Sequence, residues 1–258
     1  MKAGLNLYSI GTLISTEEDF LATAEKLRDM GYSYLQYSGG EFVPERIKRV
    51  SEASGLPVRL THVPLDRIIG DTDKLMEDHN VFGCTNIGLG SIRTDYVVDM
   101  DKLKANIEDL NRAAEKMKNN GFSFYLHHHH YEFYRHGNQT VFDYILENAP
   151  YINFTLDTYW MQFGGADILS FLDKLDGRIG CVHLKDYKID KPADPNSNMS
   201  LVPRYAPVGE GLLNMKAIVD KTLKLGTQYY FVEQDDACTY PDPLDEVCRS
   251  IKYIKKEL

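Results

Sequence analysis

The chain has 258 residues, 43% of them hydrophobic and 26% charged, values of an ordinary globular protein that can bury a sizeable core. A net charge of -9 argues against a protein that grips a phosphate backbone, and no run approaches the roughly 20 apolar residues of a membrane helix. The amino terminus, MKAGLNLYSIGTL, carries an apolar run too short for a secretion signal, so a cytoplasmic location is expected, with neither nucleic acid nor membrane as partner.

Short apolar runs alternate with amphipathic stretches along the whole chain, the pattern of a parallel sheet with crossover helices. Strands are expected at residues 3–8, 34–37, 58–61, 86–89, 122–126, 152–156, 179–184 and 229–232. Helical spacing recurs at 17–30, 44–53, 100–119, 140–147, 166–175, 215–225 and 243–256, with a weaker segment at 71–80. Gly31 and Gly226 stand where helix-ending glycines belong. Eight such pairs in a single domain, 1–258, define an α/β fold of the (β/α)8 TIM barrel type. An open dinucleotide-binding sheet is disfavoured, since no G-x-G-x-x-G follows the first strand. One long irregular segment, 187–212, follows the seventh strand and is expected to overhang the barrel mouth as a lid. Cys84, Cys181, Cys238 and Cys248 are scattered without a C-x-x-C pair and read as reduced thiols.

In a barrel, side chains at the carboxyl ends of the strands converge on one mouth. Those ends are polar here: Thr61 and His62 close strand three, His127 to His130 and Glu132 follow strand five, and Asp157, His183 and Glu233 close strands six, seven and eight. Taken alone, Asp157 also reads as a helix cap and His183 as a hydrogen-bonded core histidine. Glu233, after the buried run YYFV, must be paired, neutral or bound to a cation. Three such groups at matching depth on consecutive strands point to one divalent metal ion, with a mixed oxygen and nitrogen donor set suited to Mn, Mg, Co or Zn. Within HHHH, alternation of an extended chain sends His127 and His129 to the mouth and His128 and His130 away from it.

At these residues the chain resembles the sugar phosphate isomerase/epimerase family of xylose isomerase-like TIM barrels. The likeness lies in LHHHHYEF at 126–133, close to a family Y-H-N-H-x-x-E-F, in LDTYWMQFGGAD at 156–167, in GRIGCVHLKDY at 177–187, and in PVGEG and YYFVEQDDA beyond. The resemblance implies a metal held by Glu132, Asp157, His183 and Glu233, with His127 as the substitute for Glu132. It also implies enediolate chemistry on a sugar or keto-sugar, with the metal binding the carbonyl and a neighbouring hydroxyl. Glu132 and Glu233 are the expected proton-transfer groups, with His129 and Lys185 assisting and His62, His127, Trp160 and Gln234 contacting substrate; Lys185 is equally readable as a solvated lysine, and Trp160 as a core residue. An isomerase or epimerase is the first reading, and a dehydratase or keto-glycoside-cleaving enzyme the second. A non-catalytic sugar-binding barrel is the rival of another class. The DNA-repair branch of the superfamily is disfavoured by the acidic charge. A phosphate cradle is not evident, so an unphosphorylated sugar or polyol is expected, and assembly of identical copies is left open.

Overall fold

The computed structural model of the chain describes residues 1–175, 177–194 and 196–258. Eight strands form the barrel: β1 (Gly4–Asn6), β2 (Tyr34–Tyr37), β3 (Val58–His62), β4 (Asn86–Leu89), β5 (Ser123–His127), β6 (Asn153–Asp157), β7 (Ile179–Leu184) and β8 (Tyr229–Val232). All neighbours pair in parallel, and β1 pairs with both β2 and β8, closing the sheet on itself. The helices outside are α1 (Glu17–Met30), α2 (Pro44–Ser54), α3 (Thr72–Val81), α4 (Met100–Asn119), α5 (Val141–Asn148), α6 (Ile168–Leu172), α7 (Met215–Lys224) and α8 (Pro243–Glu257). Among the described residues no helix is long and apolar enough to cross a membrane.

Local chemistry sets these boundaries. The Thr16 hydroxyl accepts the Asp19 N–H to start α1, and Gly31, at φ 104°, ends it in a left-handed turn closed onto Leu27 and Arg28. Arg178, just before β7, donates to the carbonyls of Leu146, Ala149 and Ile152, tying the end of α5 to the start of β6.

The barrel interior is layered. Tyr34, Leu60, Tyr125, Cys181 and Phe231 form a buried cluster inside the sheet, distinct from the larger core between strands and helices. Tyr34 and Phe231 meet edge to face at 5.3 Å. Gly4 and Gly180 leave room for these rings: a Cβ at either would stand 2.3 Å from Tyr34 or from the Tyr125 hydroxyl. Because side chains alternate along a strand, the inward residue two positions beyond each member of this plug is Gln36, His62, His127, His183 and Glu233. The sequence thus lays a polar layer directly on an apolar one.

Three features differ from the expected element map. The segment after β7 is not irregular throughout: Asp186–Asp190 and Val202–Ala206 form an antiparallel hairpin. Short helices also stand at Leu65–Gly70, Thr94–Val97 and Thr158–Phe163, outside the expected elements, and the strand expected at 3–8 ends at Asn6, where the chain turns into a 3-10 helix over Leu7–Leu13 with the Tyr8 N–H donated to Asn6 Oδ1.

Candidate metal centre

Four donor atoms, one each from His127, Asp157, His183 and Glu233, lie within 4.8 Å of one another, and all four residues are buried. The parallel register puts them at one level, Asp157 beside His183 across β6 and β7. His127 Nε2 stands 3.4 Å from Asp157 Oδ2 and 4.0 Å from Glu233 Oε2. His183 Nδ1 stands 3.8 Å from Asp157 Oδ2 and 2.5 Å from Glu233 Oε2.

Each of the four residues spends its other polar atom on the protein. Asp157 Oδ1 accepts the Trp160 N–H at 2.8 Å, so the carboxylate caps the Thr158–Phe163 helix with one oxygen and keeps the other for the cluster. Glu233 Oε1 accepts from Asn6 Nδ2 at 2.8 Å. His127 Nδ1 lies 2.8 Å from the Gly90 carbonyl, which can only accept, so the proton is on Nδ1 and the Nε2 lone pair faces the cluster. His183 Nε2 donates to Gln36 Oε1 at 2.7 Å, which leaves Nδ1 turned toward the cluster. His183 Nδ1 and Glu233 Oε2 have no hydrogen-bond partner despite their closeness. A ring nitrogen and a carboxylate oxygen this close in a buried site require a positive charge between them, either a proton on His183 or a bound cation in its place.

The titration behaviour agrees. Burial works against a charged ring at His183, but the Glu233 and Asp157 carboxylates outweigh it and raise its pKa to about 9. Burial would raise the Glu233 carboxyl, yet His183 and Lys185 hold it below the ordinary carboxylate range. Asp157 is held low in the same way, by Lys185 and the His127 and His183 rings against burial. The donor chemistry therefore fits a divalent cation.

Above the four donors opens a cavity of about 320 Å³ lined by Asn6, Tyr8, Ser38, Gly39, His62, Gly90, Ser91, His127, His129, Lys185, Glu233 and Asp235. That is at the small end of the roughly 300–1,000 Å³ usual for ligand pockets. Lys185 is 1% exposed, with Nζ 2.7 Å from Asp235 Oδ1, 3.7 Å from Asp157 Oδ2 and 3.8 Å from Glu233 Oε2. Burial opposes its charge, but the Glu233, Asp157 and Asp235 carboxylates hold its pKa above the ordinary lysine range. The Trp160 and Tyr205 rings each lie 5.0 Å from the same ammonium. Tyr205 belongs to the hairpin, so one strand of that segment packs beside the centre.

Not every candidate residue joins this arrangement. Glu132 stands outside the four-donor cluster: five residues past His127, it sits in the turn Tyr131–Phe133, and its Oε2 accepts the His129 N–H at 2.8 Å. Burial raises its pKa to about 8. Gln234 faces away from the mouth, as alternation after Glu233 requires, and donates to Glu246 on α8 at 2.8 Å. Trp160 does not line the cavity; its ring packs 5.2 Å from His129 behind the wall. His62 and His129 do line it. Burial holds His129 at a pKa of about 2, so its ring is neutral, and the Tyr131 hydroxyl meets its Nδ1 at 3.0 Å. His128 turns away from the mouth, and its Nε2 accepts the Asp157 N–H at 3.1 Å. His130 is exposed.

Asn6, Gln36, Ser38 and Asp235 were not singled out from the sequence. A legible signal existed for two of them: Asn6 in GLNL and Gln36 in YLQY are polar residues inside otherwise apolar strands, and a fully buried Gln must be bonded.

The fold and the site together define an α/β barrel with a buried, mixed carboxylate and imidazole cluster at the carboxyl ends of its strands, a cluster that could hold a metal ion. The sequence profile of the xylose isomerase-like TIM barrel family matches residues 24–257, and the chain belongs to that family. An inosose dehydratase of Clostridium perfringens is 27% identical over 173 residues, 63% of this chain and 57% of that protein, so the match spans less than two thirds of the relative's length. Two crystal structures of sugar phosphate isomerase/epimerase proteins from Parabacteroides distasonis superpose with TM-scores of 0.78 and 0.72. They are 21% and 25% identical to this chain, and the matches cover 99% of it and 94% and 98% of the two structures.

Proposed function

We propose that the chain is a divalent-metal-dependent enzyme that moves a proton at the carbon beside the carbonyl of a sugar, keto-sugar or polyol-derived ketone. The observation that carries this reading is the convergence of His127 Nε2, Asp157 Oδ2, His183 Nδ1 and Glu233 Oε2 in one buried cluster, each with its other atom already bonded and two of them, His127 and Glu233, lining a small cavity. These four would hold the ion, which when bound acts as a Lewis acid on the substrate carbonyl. His127 takes the place first assigned to Glu132.

The remaining work falls to the chain's own groups. Asp235, which lines the cavity and is not one of the four donors, is the group to accept the carbon-bound proton, since burial and the neighbouring Glu233 carboxylate raise its pKa; Lys185, a fixed cation, donates a hydrogen bond to the oxygen on which negative charge grows. His129 and His62, both neutral, orient substrate hydroxyls. The carboxylates that line the cavity, Glu233 and Asp235, both leave the end of β8, whereas Glu132 is committed to the His129 N–H. Bases on a single side suit transfer on one face of the substrate, which favours isomerisation over two-base epimerisation. Dehydration is the second reading, since it begins with the same proton removal, and the similarity to the Clostridium inosose dehydratase favours it.

The test is solvent exchange in heavy water with metal-loaded protein, across ketoses, keto-glycosides and inosose-like polyols. The account expects deuterium at the carbon next to the carbonyl of at least one substrate. An aldose product then marks isomerisation, and an unsaturated ketone marks dehydration. No incorporation with any member of the panel would remove both readings.

A further inference from the structure

Two of the four donor atoms are imidazole nitrogens, and their tautomers are fixed by bonds to the Gly90 carbonyl and to Gln36 Oε1. Imidazole favours first-row transition ions, whereas magnesium is held mainly by carboxylate charge and gives up its water reluctantly. Carboxylate charge is weakened here: the Lys185 ammonium stands 3.7 Å from Asp157 Oδ2 and 3.8 Å from Glu233 Oε2, the same oxygens that face the cluster.

We propose that this centre selects a transition ion of the cobalt(II) to zinc(II) kind over magnesium, and that His127 sets the preference. The inference rests on the metal-dependent reading above. His127 is the position that decides it, because Asp157, Glu233 and His183 together are a two-carboxylate, one-imidazole set, and the fourth donor makes nitrogen the equal of oxygen where a carboxylate would leave it outnumbered three to one. A carboxylate in its place would supply both a hard donor and the negative charge that Lys185 offsets.

The experiment is calorimetric titration of the metal-free chain with CoCl2, ZnCl2 and MgCl2, with the visible absorption of bound cobalt(II) as a second readout. Cobalt and zinc are expected to bind one per chain, with magnesium weaker by about 100-fold or more. Transition ions outbind magnesium at many sites, so the contrast with H127E is the decisive comparison. H127E is expected to narrow the cobalt to magnesium ratio by about tenfold or more and to change the cobalt spectrum. H127Q, which removes the nitrogen without adding charge, serves if H127E does not fold, and is expected to weaken cobalt more than magnesium. Equal affinities for cobalt and magnesium in the unaltered chain would overturn the proposal, as would a ratio and spectrum unmoved by either substitution. The two levels of the account fail separately. Selective binding without solvent exchange on any substrate would defeat the enzymatic reading and leave this one standing. Exchange supported equally well by magnesium would do the reverse.

Discussion

At the scale of single residues, the centre is built by giving every ligand-type side chain a second partner. Gln36 is the clearest case, since its Oε1 fixes the tautomer and direction of His183 while its Nε2 reaches the Ser38 hydroxyl at 3.2 Å. Loss of such a partner commonly costs about 10–100-fold in metal affinity. Gln36→Leu is therefore expected to weaken cobalt binding by that order with the melting temperature of the metal-free chain little changed; equal affinity in titrations of the two proteins would contradict the assignment. Glu132 gives a prediction of a different kind. Its folded pKa, about 8, lies above the ordinary value of 4.5 because burial disfavours the charged form. The folded state then holds a proton that the unfolded chain has already released, so this group's contribution to stability falls as pH rises from about 4.5 to about 8. Glu132→Gln keeps an acceptor for the His129 N–H and removes the titration. Its melting temperature relative to the unaltered chain is expected to climb across that window, by the equivalent of up to a few kcal/mol, and a pH-independent difference would refute the account of this residue.

At the scale of elements, the hairpin after β7 depends on one buried carboxylate. Asp186 accepts the backbone N–H groups of Gly209, Gly211, Leu213 and Tyr187, which folds the PVGEG turn around it. A Cβ at Gly211 would stand 2.1 Å from Asp186 Oδ1, so only glycine admits this approach. Asp186→Ala would leave four partly buried N–H groups without their acceptor, at a cost of about 1–3 kcal/mol. Faster amide exchange confined to residues 186–213 is the expected result, and unchanged protection there would show the carboxylate to be dispensable. The hairpin also marks where sequence reading runs short. The eight barrel strands were legible because each is an apolar run bounded by turn residues, and four of them keep the bounds drawn from sequence: 34–37, 86–89, 179–184 and 229–232. YKID and VPRYA are short, half exposed and interrupted by Pro203, so their pairing leaves almost no periodic trace. In the centre, Asp157, His183 and Glu233 were legible from their depth on consecutive strands. The position of Glu132 was not, because it lies inside a 3-10 turn past the end of β5, where the alternation on which such reasoning depends no longer holds.

At the scale of the whole molecule, one device explains both stability and site. The barrel is filled by Tyr34, Leu60, Tyr125, Cys181 and Phe231, and the next inward residue on each of those strands is polar and belongs to the centre or its supports. Packing and chemistry therefore share the same rigid strands, with His127, Asp157 and His183 on β5, β6 and β7 and Glu233 one residue past β8. Gly4→Ala and Gly180→Ala push a methyl into Tyr34 or Tyr125 and are expected to lower stability by about 1–3 kcal/mol each. Chemical denaturation midpoints indistinguishable from the unaltered chain would argue against so tight a plug. The central claim is that the four side chains above this plug hold a single ion, and metal content measured by mass spectrometry after loading with cobalt(II) and removal of free metal tests it most directly. The account predicts one ion per chain in the unaltered protein and almost none in Asp157→Ala or His183→Ala variants that keep their folded circular dichroism; undiminished stoichiometry in those variants would contradict it.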